Sequence, residues 1–119
     1  ILSFGARLYE SLAAAKILDE KGLSTTVADA RFCKPLDTRL IKNLISNHDI
    51  LVTIEEGVVG GFGSHVMQYL SDNNLLSINP NIQSIVFPDK FIDHATPDTM
   101  YKNANMDAKS IVKKIIKFI

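Results

Sequence analysis

The hydrophobic and polar positions of the chain follow two alternating patterns, one typical of buried strands and the other of helices. Four short runs rich in apolar and β-branched residues predict strands at residues 1–4, 25–32, 50–54 and 82–87. The third run has hardly any polar position, which is typical of a strand buried on both faces of a parallel sheet.

Apolar residues recur at helical spacing in the segments between these runs. After residue 6 the predicted stripe consists of Leu8, Leu12, Ala15 and Leu18, and Gly22 marks the end of that helix. The same spacing recurs twice, at Leu40, Ile41, Leu44 and Ile45 and at Phe62, Val66, Tyr69 and Leu70. Two further helices are predicted near the end of the chain.

Local start and stop signals frame these helices. Asp37 and Asp107 are predicted N-caps, and Thr96 followed by Pro97 combines a cap with the residue favoured in the first helical turn. Asn105 can end the short helix after Pro97, because asparagine tolerates the left-handed backbone conformation.

Strands that alternate with helices predict βαβ units, and therefore a largely parallel sheet covered by helices on both faces. The 119 residues contain no internal repeat and no linker-like tract, so we expect one domain over residues 1–119. A chain of this size can bury a hydrophobic core without disulfides or metals.

Composition excludes several classes of partner. The chain has 13 Lys and Arg residues against 13 Asp and Glu residues, so no global charge attracts nucleic acid or an anionic membrane. The lysines near the end of the chain alternate with apolar residues, as on the solvated face of an amphipathic helix. No apolar run approaches the roughly 20 residues of a membrane span. We therefore expect neither a nucleic-acid nor a membrane partner.

Two further features bear on the origin of the chain. Cys33 is the single cysteine, which rules out an internal disulfide and suits a reducing compartment such as the cytoplasm. The sequence opens at Ile1, within a strand pattern and without an initiator methionine, so we expect a piece of a larger protein.

The most distinctive stretch is the turn E-E-G-V-V-G-G-F-G-S at residues 55–64. Glycine-rich turns between a strand and a helix often bind phosphate through N–H groups at the helix N-terminus. Here the spacing matches neither the dinucleotide fingerprint nor a P-loop, no lysine follows, and two carboxylates would repel a phosphate.

Two interpretations of this turn remain open. In the first, the glycines allow tight backbone passage and close packing of a helix on the sheet. In the second, the turn forms a contact surface for another domain of the same enzyme or for the dimer partner. The candidates for such contacts within the turn are Glu55, Glu56, Gly60, Gly61, Phe62, Gly63 and Ser64.

Four charged or titratable residues outside the turn are further contact candidates. Asp29 and Arg31 lie two apart in a predicted strand and share one face, where they suit edge pairing or an interdomain ion pair. Asp93 and His94 resemble an acid–base pair, but adjacent residues rarely point the same way and no nucleophile is near in sequence. We predict no catalytic residue.

Metal binding is not indicated either. No set of cysteine, histidine or carboxylate residues has a ligand spacing typical of a metal site. His48 is predicted at a helix C-terminus, where a structural role is favoured.

Three stretches together carry a resemblance to a known family. They are D-A-R-F-C-K-P-L-D at residues 29–37, L-V-T-I-E-E-G at 51–57 followed by G-G-F-G-S at 60–64, and P-D-K-F-I-D-H at 88–94. Their order and separation resemble the C-terminal domain of the transketolase-like thiamine-diphosphate enzymes. The resemblance covers essentially the whole chain.

Within that family, the glycine-rich turn and the loop at 88–94 resemble those of the enzymes that condense pyruvate with glyceraldehyde 3-phosphate. The other stretches are shared with transketolases and with the beta subunits of 2-oxoacid dehydrogenases. The chain departs from the family pattern in few places, among them Cys33 in place of valine and Asn105 in place of glycine.

The resemblance implies a three-layer α/β/α sandwich with one antiparallel strand in a mostly parallel, mixed sheet. It implies a homodimeric enzyme that uses thiamine diphosphate and Mg²⁺, held by the other domains. This chain lacks the G-D-G metal-binding motif of the family. We therefore expect no cofactor in this piece and a structural role, with the remaining domains of the enzyme as its partner. A stand-alone anion-binding module stays as an alternative.

Overall fold

The computed structural model describes residues 1–79 and 81–119, and its strands form one parallel sheet. The strands are β1 (Leu2–Ser3), β2 (Ala28–Asp29), β3 (Leu51–Ile54) and β4 (Ile82–Ile85). They lie in the order β2-β1-β3-β4, and each neighbouring pair is parallel. The antiparallel strand that the resemblance implies is not among the strands of the described residues.

Five α-helices connect and follow the strands. They are α1 (Leu8–Glu20), α2 (Thr38–Asn47), α3 (Phe62–Asp72), α4 (Pro97–Asn103) and α5 (Ala108–Phe118), and a short 3₁₀ helix occupies Leu75–Ser77. Every predicted α-helix is present, whereas the 3₁₀ helix was not predicted. None of the helices in residues 1–79 and 81–119 has the length and apolar content that a membrane crossing requires.

The two faces of the sheet carry separate hydrophobic clusters. On one face, Val52 and Ile54 of β3 pack with Leu18 of α1 and with Ile111 of α5. On the other face, Leu51 packs with residues of α2 and α3. Successive residues of a strand point to opposite faces, so β3 serves both clusters and all four of its residues are buried. This arrangement confirms the predicted three-layer α/β/α sandwich.

Most of the predicted caps are confirmed. The Asp37 carboxylate accepts a hydrogen bond of 2.9 Å from the Leu40 N–H, and Asn105 has a φ of 58°. The cap at Asp107 differs from the prediction, because the first N–H of α5 donates to the carboxylate of Glu10 at 2.8 Å. A carboxylate from α1 thus stabilises the N-terminus of α5.

Two predicted elements are corrected. Leu12 is 52 % exposed, and the buried stripe of α1 instead contains Ser11, Ala14, Ala15 and Leu18. Small side chains suit this face, since α1 packs against α5. The strand predicted over residues 25–32 is limited to β2, because it pairs only with the two residues of β1.

Candidate functional site

The sequence-predicted candidates meet where the four parallel strands end. We call this region the carboxyl edge, and it consists of the segments that follow the strands, at residues 4–7, 30–37, 55–61 and 86–96. Ligands and partners of open α/β sheets commonly bind at this edge, because the connections to the helices create a crevice there. The candidates are therefore brought together by topology.

Glu55 occupies the position at which an anion would bind. Its side chain is only 4 % exposed and accepts hydrogen bonds from the N–H groups of Phe62 at 2.9 Å and Gly63 at 2.8 Å. These N–H groups begin α3 and have no partner within the helix. The carboxylate satisfies them and interacts favourably with the helix dipole. A phosphate at this helix would have to displace a buried carboxylate.

The glycines of the turn allow this close approach. A Cβ atom on Gly61 would lie 2.3 Å from a carboxylate oxygen of Glu55. A Cβ atom on Gly63 would lie 2.6 Å from the hydroxyl of Ser84 and 2.7 Å from that of Thr53. Both contacts are shorter than any side chain tolerates, so the geometry supports the packing interpretation of the glycine-rich turn.

The burial of several turn residues corrects part of the predicted contact surface. Glu55, Phe62 and Gly63 are buried inside the domain, where they form the start of α3. Gly60 and Ser64 are exposed, and the Gly60 N–H donates to the Ser64 hydroxyl at 2.9 Å. Of the predicted contact candidates in the turn, only Gly60 and Ser64, with the half-buried Glu56 and Gly61, remain at its surface.

The remaining candidates lie on exposed parts of the same edge. Arg31 does not share a strand with Asp29, since it follows β2 with a φ of 57°. The two residues pair with each other, with Arg31 Nε 3.8 Å from Asp29 Oδ2 and the Arg31 N–H 3.0 Å from Asp29 Oδ1. Asp93 and His94 are exposed in the segment after β4.

A cluster of three side chains at the carboxyl edge was not predicted. Arg7, only 8 % exposed, stacks its guanidinium carbon 3.5 Å from the centre of the Tyr101 ring. Its Nε lies 3.4 Å from Glu56 Oε1, the same oxygen that accepts a hydrogen bond from the Tyr101 hydroxyl. Phe87 also stacks on Tyr101, with the two ring centres 6.0 Å apart.

This Arg7–Glu56–Tyr101 cluster ties α4 to the ends of β1 and β3. The stacking of the guanidinium on the aromatic ring favours the packing of these segments. Nothing in the local sequence signals it, because the three residues are distant in the chain and each has an ordinary neighbourhood. Only Glu56 was a candidate, and its side chain is engaged within the domain.

The cluster predicts a pH-dependent contribution of Tyr101 to stability. The hydrogen bond to Glu56, together with partial burial, raises the pKa of the Tyr101 hydroxyl above its ordinary value. The stabilisation is therefore complete below the unfolded-state pKa of about 10 and is lost as the pH rises through the folded-state value.

In an alkaline pH titration, the tyrosinate absorbance of Tyr101→Phe is subtracted from that of wild type. We expect the midpoint of this difference to lie above the ordinary pKa of tyrosine. The two proteins should also converge in free energy of unfolding at alkaline pH. A difference midpoint at or below the ordinary value would contradict the hydrogen bond to Glu56.

The described residues hold no cluster of metal ligands, His48 makes contacts within the domain, and the start of α3 is not open to a diphosphate. Among residues 1–79 and 81–119, no group of three or more histidine, cysteine, aspartate or glutamate residues could hold a metal ion. His48 contacts the Leu44 carbonyl oxygen and the Thr26 hydroxyl, each at 2.9 Å, and so joins the end of α2 to the segment before β2. A diphosphate does not fit the start of α3, which Glu55 fills.

The carboxyl edge does expose large apolar side chains that sequence reasoning missed. Phe32 is 65 % exposed after β2, Val59 is 80 % exposed after β3, and Phe91 is completely exposed after β4. Val58, next to Val59 in the chain, is also exposed. Scattered apolar residues are normal on a protein surface, whereas several on one edge indicate a contact with another protein surface.

The fold is a three-layer α/β/α domain. Glu55 fills the start of α3, and exposed apolar side chains lie on the same carboxyl edge. Residues 1–111 match the family model described as transketolase, C-terminal domain. The chain belongs to this family.

Proposed function

We propose that this chain is the C-terminal domain of 1-deoxy-D-xylulose-5-phosphate synthase and that its role there is structural. That enzyme condenses pyruvate with glyceraldehyde 3-phosphate, releases carbon dioxide, and supplies the precursor of isoprenoids, thiamine and pyridoxal. Membership of the transketolase C-terminal family supports the class of enzyme. The turn G-G-F-G-S at residues 60–64 and the loop P-D-K-F-I-D-H at 88–94 support the particular synthase.

The observation that carries the structural role is the contrast within the carboxyl edge. Glu55 closes the start of α3 to phosphate groups, while apolar side chains such as Val59 and Phe91 face outward beside it. Such an edge suits packing against protein rather than binding a phosphorylated substrate or cofactor. Thiamine diphosphate and Mg²⁺ would be held by the other domains of a cytoplasmic homodimer, and this domain would pack against them.

Two relatives within the family are the alternative. A transketolase or the beta subunit of a 2-oxoacid dehydrogenase would share the stretch at residues 29–37 and the E-E-G at 55–57. Substrate use by the full-length enzyme distinguishes them. We expect carbon dioxide release from pyruvate that depends on glyceraldehyde 3-phosphate. Turnover that requires instead a ketose phosphate donor, or a lipoyl acceptor, would identify one of the relatives.

The isolated 119-residue chain should not respond to the cofactor. Because Glu55 fills the start of α3, we expect thiamine diphosphate with Mg²⁺ to leave the melting temperature of the chain unchanged. A ligand that binds only the native state stabilises it by about 2.7 kcal/mol at 100 times its dissociation constant, which differential scanning fluorimetry detects easily.

The full-length enzyme is the positive control and should show a saturable increase in melting temperature. An increase in the isolated chain would favour the alternative of a stand-alone anion-binding module. Inorganic phosphate, tested alone under the same conditions, would then show whether the site recognises the phosphate group.

A further inference from the structure

The tip of the glycine-rich turn consists of two exposed valines. Val58 is 48 % exposed and Val59 is 80 % exposed, between the end of β3 and the start of α3. Within the domain Val59 buries little area and Val58 only about half of its surface, so Val59 in particular contributes little to stability. Their position at the carboxyl edge is therefore not explained by the packing of the domain.

The turn that carries the valines is held in a defined conformation. Below the tip, the Phe87 N–H donates to the Gly57 carbonyl oxygen at 2.9 Å, which ties the turn to the end of β4. Above it, the Gly60 N–H donates to the Ser64 hydroxyl at 2.9 Å. The buried carboxylate of Glu55 fixes the start of the following helix. Docking of a prearranged segment costs little conformational entropy.

Phe91 is a second apolar group on the same edge. Its side chain is completely exposed, in the segment after β4, and a hydrogen bond of 2.8 Å from the Lys90 N–H to the Pro88 carbonyl oxygen closes the preceding turn. An aromatic side chain in such a position can cover a large apolar area of a partner at a cost of few rotatable bonds.

We propose that the Val58–Val59 tip is a preformed apolar anchor that inserts into an apolar pocket of the remaining domains of the same enzyme, with Phe91 packing beside it. This inference rests on the proposed function. The family is a C-terminal domain by description, and under the proposed function the preceding domains are linked to it in one chain, at high effective concentration beside the anchor. The tip itself carries no charge, and the nearby Glu56 is already paired with Arg7, so the pocket is apolar.

The test compares two serine variants in the full-length enzyme. Val59→Ser removes the anchor, and Ile116→Ser is the matched control, since Ile116 is an exposed aliphatic residue on α5. Loss of one buried aliphatic side chain at a docked surface weakens docking about tenfold. We therefore expect amide hydrogens of residues 57–61 to exchange about tenfold faster in Val59→Ser, as measured by mass spectrometry, and to be unchanged in Ile116→Ser.

The same measurement distinguishes Val59 as an anchor from Val59 as a residue that merely stabilises the domain. Because Val59 is exposed, exchange in the core strand β3 should be unaffected by the substitution. Unchanged exchange at the turn of Val59→Ser would overturn the anchor, and so would an equal effect of Ile116→Ser. Dissociation of the full-length dimer in Val59→Ser, with the exchange of the turn in wild type depending on protein concentration, would assign the anchor to a second copy and overturn the present assignment.

Failure of the proposed function gives a different result. If the wild-type full-length enzyme neither binds thiamine diphosphate nor consumes pyruvate, the enzyme assignment is wrong, whatever the exchange data show. If it does both and the turn is equally accessible in wild type and in Val59→Ser, only the anchor is wrong.

Discussion

Replacement of Glu55 by glutamine is expected to destabilise the domain by about 3 kcal/mol. The carboxylate accepts one N–H with each oxygen, from Phe62 and from Gly63. Glutamine retains a single oxygen and directs its amide N–H₂ group toward the other donor. One buried N–H at the start of α3 then loses its partner, and the favourable interaction with the helix dipole is reduced.

Urea denaturation of the 119-residue chain measures this loss, with Glu20→Gln as the control at an exposed end of α1. The control should unfold like wild type. A change of less than about 0.5 kcal/mol in Glu55→Gln would show that the carboxylate does not hold the start of α3, and the closure of that site to anions would fail with it.

Replacement of Gly61 by alanine is expected to destabilise the domain by about 2 kcal/mol. The new Cβ atom would lie 2.3 Å from a carboxylate oxygen that is itself buried and hydrogen-bonded, so the oxygen has little freedom to move. The φ of Gly61 is −86°, so the substitution does not place alanine in the left-handed region.

A double-mutant cycle with Glu55→Ala isolates this contact. In the Glu55→Ala background the obstructing carboxylate is gone, and Gly61→Ala should then cost much less free energy of unfolding than in wild type. Additive losses, measured by urea denaturation of the four proteins, would show that Gly61 is required for a reason other than the approach of Glu55.

The sequence allowed the order and type of the regular elements to be predicted, because hydrophobic periodicity and caps are local signals. The buried run of β3 and the caps at Asp37 and Thr96 are examples. The length of β2 could not be predicted, since it depends on how much of β1 is available for pairing. Leu12 was misplaced for a related reason, as packing of α1 on α5 selects which face is buried.

The candidate site was predicted only in outline. Its location followed from the glycine-rich turn, and the exclusion of a phosphate followed from the two carboxylates. The different roles of those carboxylates did not follow, because Glu55 and Glu56 are adjacent and chemically identical. One is directed into the start of α3 and the other toward Arg7 and Tyr101.

The sequence by itself determined an α/β fold with a largely parallel sheet, and it predicted a strand-to-helix turn unsuited to nucleotides. Hydrophobic periodicity and motif spacing carry that information, because each depends on residues that are close in the sequence. Tertiary structure alone decided that Glu55, which follows β3, caps the start of α3. It likewise decided that Arg7, Glu56 and Tyr101 form a cluster. It also decided that Val59 and Phe91 remain outside the core. The contacts of the cluster join segments distant in the chain, and they exist only once the sheet brings the ends of its strands together.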